Sequence, residues 1–137
     1  MSLDRFIEAQ DRIWPAPLDE IRAGRKITHW MWFVWPQLRG LGRSETALHY
    51  GIRDLDEARA YLADPVLGPR LKEISEAILL HEEKDAAAVL GPVDAMKLRS
   101  SATLFEAAGG DDVFSRLLDA FFAGQRCEAT LNMIGGK

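Results

Sequence analysis

The chain has a single cysteine, Cys127, and that scarcity excludes an intramolecular disulfide as a source of stability. Such cysteine usage fits a reducing compartment, and the cytoplasm is the expected location. Long apolar runs are also missing. The longest, Trp30 to Pro36, is far short of the roughly 20 residues a membrane-spanning helix needs, so no membrane partner is expected. The opening "MSLDRFIEAQDR" lacks a basic segment followed by a continuous apolar one, and no secretory signal is expected from it. Positive charge is not in excess. A net charge of −4 gives no general attraction to nucleic acid or to an anionic surface, so no nucleic-acid partner is expected. Strict apolar/polar alternation is absent outside the β-prone "WMWFVW", and there is no repeat, low-complexity tract or linker to divide the chain.

What the chain does have is ordinary globular composition: 137 residues, 47% hydrophobic and 28% charged. A chain of that size buries about two thirds of its unfolded surface, and that composition argues against disorder. Helical spacing recurs along it. Ser2 is placed to cap a helix carrying Leu3, Phe6 and Ile7 and ending near Asp11; "PLDEIRAG" follows as a second, stopped by Gly24. After the aromatic block, "LRGLGRS" forms a turn and Ser44 caps "ETALHYG". "DLDE" at 54–57 has the form of a capping box and opens a helix with Leu55, Ala58, Tyr61 and Leu62 on one face, closed by Asp64 and Pro65. The stretch from Val66 to His81 is expected to be the longest helix. Then come the short "DAAAVLG", "VDAMKLRSSATLFEAAGG", "VFSRLLDAFFAG" capped by Asp111 or Asp112, and a weak terminal "CEATLNMI". The expectation is an all-α, compact single-domain bundle (1–137) of about seven to eight short helices. The sequence specifies no oligomeric state, and a monomer is the default.

Familiar catalytic signatures are absent. No Cys-x-x-Cys, His-Glu-x-x-His, Gly-x-Ser-x-Gly or Walker loop occurs, and "GLG" at 40–42 lacks the strand and third glycine of a dinucleotide fingerprint. No cofactor is expected. His29, His49 and His81 fall on separate predicted elements, so no metal site is expected either. Cys127, with no base beside it, reads as a structural or exposed thiol. Glu82 and Glu83 are adjacent and would diverge on a helix, which makes "HEEKD" a solvated helix end. Lys97, Ser100 and Ser101 stand at i, i+3 and i+4, so a lysine amine and a hydroxyl share one face; a Ser–Lys catalyst would need that lysine desolvated.

The densest feature is "HWMWFVWPQ" at 29–37, with three tryptophans in nine positions. Two readings compete. Large indoles at helical spacing make core, with Trp30, Phe33 and Val34 on one face and Met31 and Trp35 on another. Alternatively the rings border a pocket. Just downstream, Arg39, Gly40, Gly42 and Arg43 lead into Ser44, so guanidinium groups and the amides of a helix start would make an anion receptor. Arg25, Lys26, His29, Lys97 and Arg99 would add charge if the fold gathers them.

The strings "GRKITHWMWFVWPQLRGLGRSETALHYGI", "DEARAYLADPVLGPRL" and "KLRSSATLF" resemble the bacterial domain-of-unknown-function 1810 family over nearly the whole chain. The resemblance is carried by the His-Trp-Met-Trp-Phe block, the Gln37 to Ser44 loop, the Ala58 to Leu71 segment and the Lys97 to Phe105 helix. The chain differs from the family's usual residues at Trp35 and Ala102. The resemblance implies a compact all-α fold of its own type and no agreed catalytic residue. Members sometimes carry a calpastatin label, but calpastatins are extended disordered inhibitors and this composition packs.

Two functions are therefore expected in competition. One is a small-molecule binding module for an anionic, nucleotide-like ligand, held by Trp30, Trp32, Trp35, Arg39, Arg43, Ser44 and Arg99. The other is a hydrolase or glycosidase acting on a nucleotide or ADP-ribose-like compound at the same place, with His29 as acid/base, Arg43 as anion clamp, and Lys97 or Ser101 assisting.

Overall fold

A computed structural model describes residues 3–135, and ten helices form among them. They are α1 (Asp4–Asp11), α2 (Ala16–Arg22), α3 (Met31–Val34), α4 (Glu45–Tyr50), α5 (Leu55–Ala63), α6 (Leu67–Leu79), α7 (Ala86–Leu90), α8 (Pro92–Ala107), α9 (Val113–Phe122) and α10 (Glu128–Gly135). No strand forms among the described residues; an isolated parallel bridge joins Leu38 to Ile52. The helix count exceeds the expected seven to eight because the aromatic block contributes a one-turn helix of its own and no segment fuses with its neighbour. The expected Ser2 cap lies outside the described residues.

Local signals explain several boundaries. Ser44 accepts the Ala47 N–H at 3.0 Å and Asp54 accepts the Glu57 N–H at 2.9 Å, so both helix starts are closed by their own side chains. Asp111 caps from one position earlier than Asp112, accepting the Val113 N–H at 2.9 Å. The longest helix is α8, with 16 residues against 13 for α6, which corrects the expectation for Val66 to His81. Leu80 and His81 turn out of α6 through bonds to Ala77 and Ile78. Pro92, at the first helical position of α8, lacks only an N–H that would be unpaired anyway, and no breaker follows until Gly109.

Helix α8 is the central strut, packed by α5, α7, α9 and α10. Residues 100–105 are buried all round, which small side chains such as Ser101 and Ala102 permit by letting neighbours approach. Phe105 bridges Tyr61 and Phe114, with ring centres 5.2 and 5.7 Å away, and burying each such ring contributes about 1.5–3 kcal/mol. Several buried polar groups tie helices together. Gln10 donates to the Phe33 carbonyl at 2.7 Å and to the Tyr61 hydroxyl at 3.1 Å, tying α1 to α3 and α5. Gly51 is required by contact: a Cβ there would stand 2.5 Å from the Arg39 Cα, where the bridge brings the two backbones together.

Candidate functional site

The three indoles of the aromatic block separate. Trp30 and Trp35 flank the single turn of α3 and turn inward, 0% and 1% exposed, with ring centres 6.0 Å apart. They share the core and do not sit on opposite helix faces, because one turn is too short to set a helical register. Each buried N–H has an acceptor: Trp30 donates to Glu20 at 2.9 Å, and Trp35 donates to Ser75 at 3.0 Å. Trp30 is sealed from solvent and Trp35 borders a crevice of about 10 Å³, so these two rings form a floor and not ligand-facing walls.

Trp32 is only partly buried. Its ring carries the Lys97 ammonium group 4.8 Å from its centre. Lys97 also lies 3.7 Å from Asp94, and the other Asp94 oxygen binds Lys26 at 2.9 Å. Lys26 is the fixed cation of the pair: its side chain is 6% exposed, donates to the Thr28 carbonyl at 2.7 Å and passes 5.0 Å from the Trp30 ring centre. Lys26, His29, Trp32 and residues 90–94 border an open cavity of about 280 Å³. The far wall is thus the first turn of α8. Gly91, at φ 89°, makes the sharp entry into that helix.

Glu20 holds the near wall in place. One of its oxygens accepts the Ile27 and Thr28 N–H groups at 2.8 and 3.1 Å as well as the Trp30 indole, and the other accepts the Thr28 hydroxyl at 2.6 Å. Burial alone would raise this carboxyl, but those donors outweigh it and hold it down to about 2. His29, between the anchored Thr28 and Trp30, is presented on the cavity wall with its side chain exposed.

The remaining expected site residues go elsewhere. Arg39 borders a separate, shallow basin of about 640 Å³ with Arg5, His49 and Arg53. The neighbours of Trp32 on α4 are instead Ala47 and Tyr50, on another face of that helix. Arg43 is exposed, and the Ser44 oxygen is occupied as a cap. Arg99 donates to the carbonyls of Gln125 at 3.0 Å and Arg126 at 2.8 Å, fastening α8 to the segment before α10. Ser101 is wholly buried and its hydroxyl has no partner among the described residues, so it does not meet Lys97 despite the i+4 spacing. The arrangement brings together Lys26, His29, Trp32 and Lys97, and it leaves Arg39, Arg43, Ser44, Arg99 and Ser101 outside.

Sequence reasoning missed Asp94 and Glu20. Asp94 had one signal, its i,i+3 spacing to Lys97; Glu20 had none, since its partners lie in an irregular loop. No group of three or more His, Cys, Asp or Glu side chains among the described residues is placed to hold a metal ion, and none of its helices is long and apolar enough to cross a membrane.

A family model described as a protein of unknown function, DUF1810, matches residues 1–134. The chain belongs to the DUF1810 family. Among solved structures it is similar to the crystal structure of the conserved hypothetical protein Rv1873 from Mycobacterium tuberculosis, with 42% identity and a TM-score of 0.95 over 97% of this chain and 96% of that one. The two chains therefore share one fold. No curated protein matches the chain.

Proposed function

We propose that the protein is a small-molecule binding module whose site is the cavity between the Ile27–Trp32 segment and the start of α8, and that its ligand is anionic. The observation that carries this reading is the Lys26–Asp94–Lys97 cluster against a partly exposed indole, with two ammonium groups sharing one carboxylate. Two cations to one anion leave a positive charge beside an aromatic face, which suits a flat, negatively charged group. His29 adds a donor or acceptor at the rim. The single cysteine fits a cytoplasmic setting for such a module.

A thermal-shift screen of anionic metabolites tests the reading, since a ligand that binds the native state raises the melting temperature by mass action. Hits should quench tryptophan emission, and the quench should disappear in Trp32→Phe but persist in Arg39→Ala. Hits that depend on Arg39 and ignore Trp32 would sink it. The hydrolytic reading of the same place rests on His29, exposed on the cavity wall. It would be carried by turnover of a nucleotide substrate that His29→Ala abolishes without loss of fold.

A further inference from the structure

We propose that this cavity admits a planar ring bearing one negative charge and turns away dianions, with Asp94 setting the limit; the inference rests on the binding reading above. The cluster at the cavity has two ammonium groups, Lys26 on the wall and Lys97 reaching in from the neighbouring crevice beside Trp32, and one carboxylate between them, at 2.9 and 3.7 Å. Its sum is a single positive charge. Glu20 does not line the cavity, and its charge is met by the Ile27 and Thr28 N–H groups, the Thr28 hydroxyl and the Trp30 indole. A monoanion therefore neutralises the wall. A dianion leaves one charge uncompensated beside Asp94, and the repulsion between them works against its binding.

Size points the same way. A cavity of about 280 Å³ lies at the lower edge of the roughly 300–1,000 Å³ usual for small-molecule sites. It has room for one ring with its charged group, whereas a whole nucleotide would leave most of itself outside. The ring has a natural partner in Trp32, and Lys97, within reach of both Trp32 and Asp94, is the cation free to turn from the carboxylate to the ligand. Among the residues lining the cavity, Asp94 alone carries negative charge; Lys26 and His29 are the other titratable groups there, and Lys97 reaches Asp94 from the neighbouring crevice.

The test is a tryptophan-fluorescence titration of the full chain at about pH 8 with benzoate, benzenesulfonate, benzamide and phenyl phosphate. The phosphate monoester, with a second pKa near 6, is a dianion under these conditions. Benzoate and benzenesulfonate are expected to saturate the Trp32 quench with dissociation constants roughly tenfold or more below those of benzamide and phenyl phosphate. Asp94→Asn should bring phenyl phosphate level with the sulfonate. Phenyl sulfate, a monoanion with the same bridging oxygen and tetrahedral head as phenyl phosphate, is titrated beside it as the sulfonate's longer counterpart, so the comparison in the unaltered protein isolates charge even if the variant does not fold. Equal binding of phenyl sulfate and phenyl phosphate by the unaltered protein overturns the proposal, as does equal binding of benzoate and benzamide. A folded Asp94→Asn with an unchanged ratio overturns the role of Asp94. If adenosine monophosphate quenches Trp32 and no single-ring compound does, the charge limit falls while the binding reading stands. If none of these compounds disturbs Trp32, both fall.

Discussion

The Lys97 ammonium group stands 4.8 Å from the centre of the Trp32 ring, joining α8 to α3. A cation over an exposed indole contributes about 0.5–1 kcal/mol. Lys97→Met keeps the apolar stem and removes the charge, so it should change unfolding free energy by less than about 1 kcal/mol while shifting the emission of Trp32. Comparing spectra with and without Trp32→Phe checks this, because the shift must vanish when the indole is gone.

Glu20→Gln is expected to loosen the near wall of the cavity. An amide cannot accept all four donors that converge on the carboxylate, and each donor left unpaired costs about 1–3 kcal/mol. The pH dependence follows from the sign of the shift. Glu20 is held down to about 2 in the folded chain against an ordinary 4.5, so the stability it lends is fully present above about 4.5 and is lost as pH falls toward 2. Denaturant unfolding of the unaltered protein between those limits should show a steeper loss than unfolding of the glutamine variant.

Ser75→Ala should destabilise the core without touching the cavity. It strands the Trp35 N–H, which has the Ser75 hydroxyl as its buried acceptor at 3.0 Å, and such a loss costs about 1–3 kcal/mol. The denaturation midpoint measures it. Ligand-induced quenching of Trp32 should survive in the folded variant, separating floor from wall.

The Cys127 thiol should ionise more readily than a free cysteine. Burial pushes it up, but the hydroxyls of Ser100 and Thr130 and the N–H groups of Thr130 and Ala129 outweigh that and hold it below the ordinary range. The Ser100 oxygen lies 3.4 Å from the sulfur. The pH midpoint of alkylation by iodoacetamide reads the shift directly, and both Ser100→Ala and Thr130→Val should move that midpoint upward.

Helix caps at Ser44 and Asp54 were legible in the sequence because a cap is a contact between residues three apart. The all-helical class was legible for a related reason, since spacing along one segment reports one face. The fate of the aromatic block was not. Whether Trp30 and Trp35 face inward depends on Glu20 and Ser75, ten and forty positions away, and no local pattern encodes those acceptors. The arginines illustrate the same limit: Arg39 is a near neighbour of Trp35 in the chain, yet the bridge from Leu38 to Ile52 and the close approach of Gly51 carry it into another basin. Lys97 was visible as a candidate, whereas its cluster with Lys26 required two segments some seventy residues apart to meet.

The clasp made by Arg99 bears on the order in which the chain is expected to come apart. Helix α10 buries Thr130 and rests Ile134 on the core but leaves Leu131 and Met133 nearly half exposed, and the segment before it is fastened by two guanidinium bonds to the Gln125 and Arg126 carbonyls, by the Arg126–Glu106 ion pair and by the Cys127 N–H held by Thr103 at 3.0 Å. Regions fastened by polar bonds with little apolar area open at lower free energy than a packed core. The carboxy-terminal helix is accordingly the first unit to peel away under mild denaturant, surrendering its amide hydrogens to exchange and its backbone to proteases while the bundle around Phe105 is still closed.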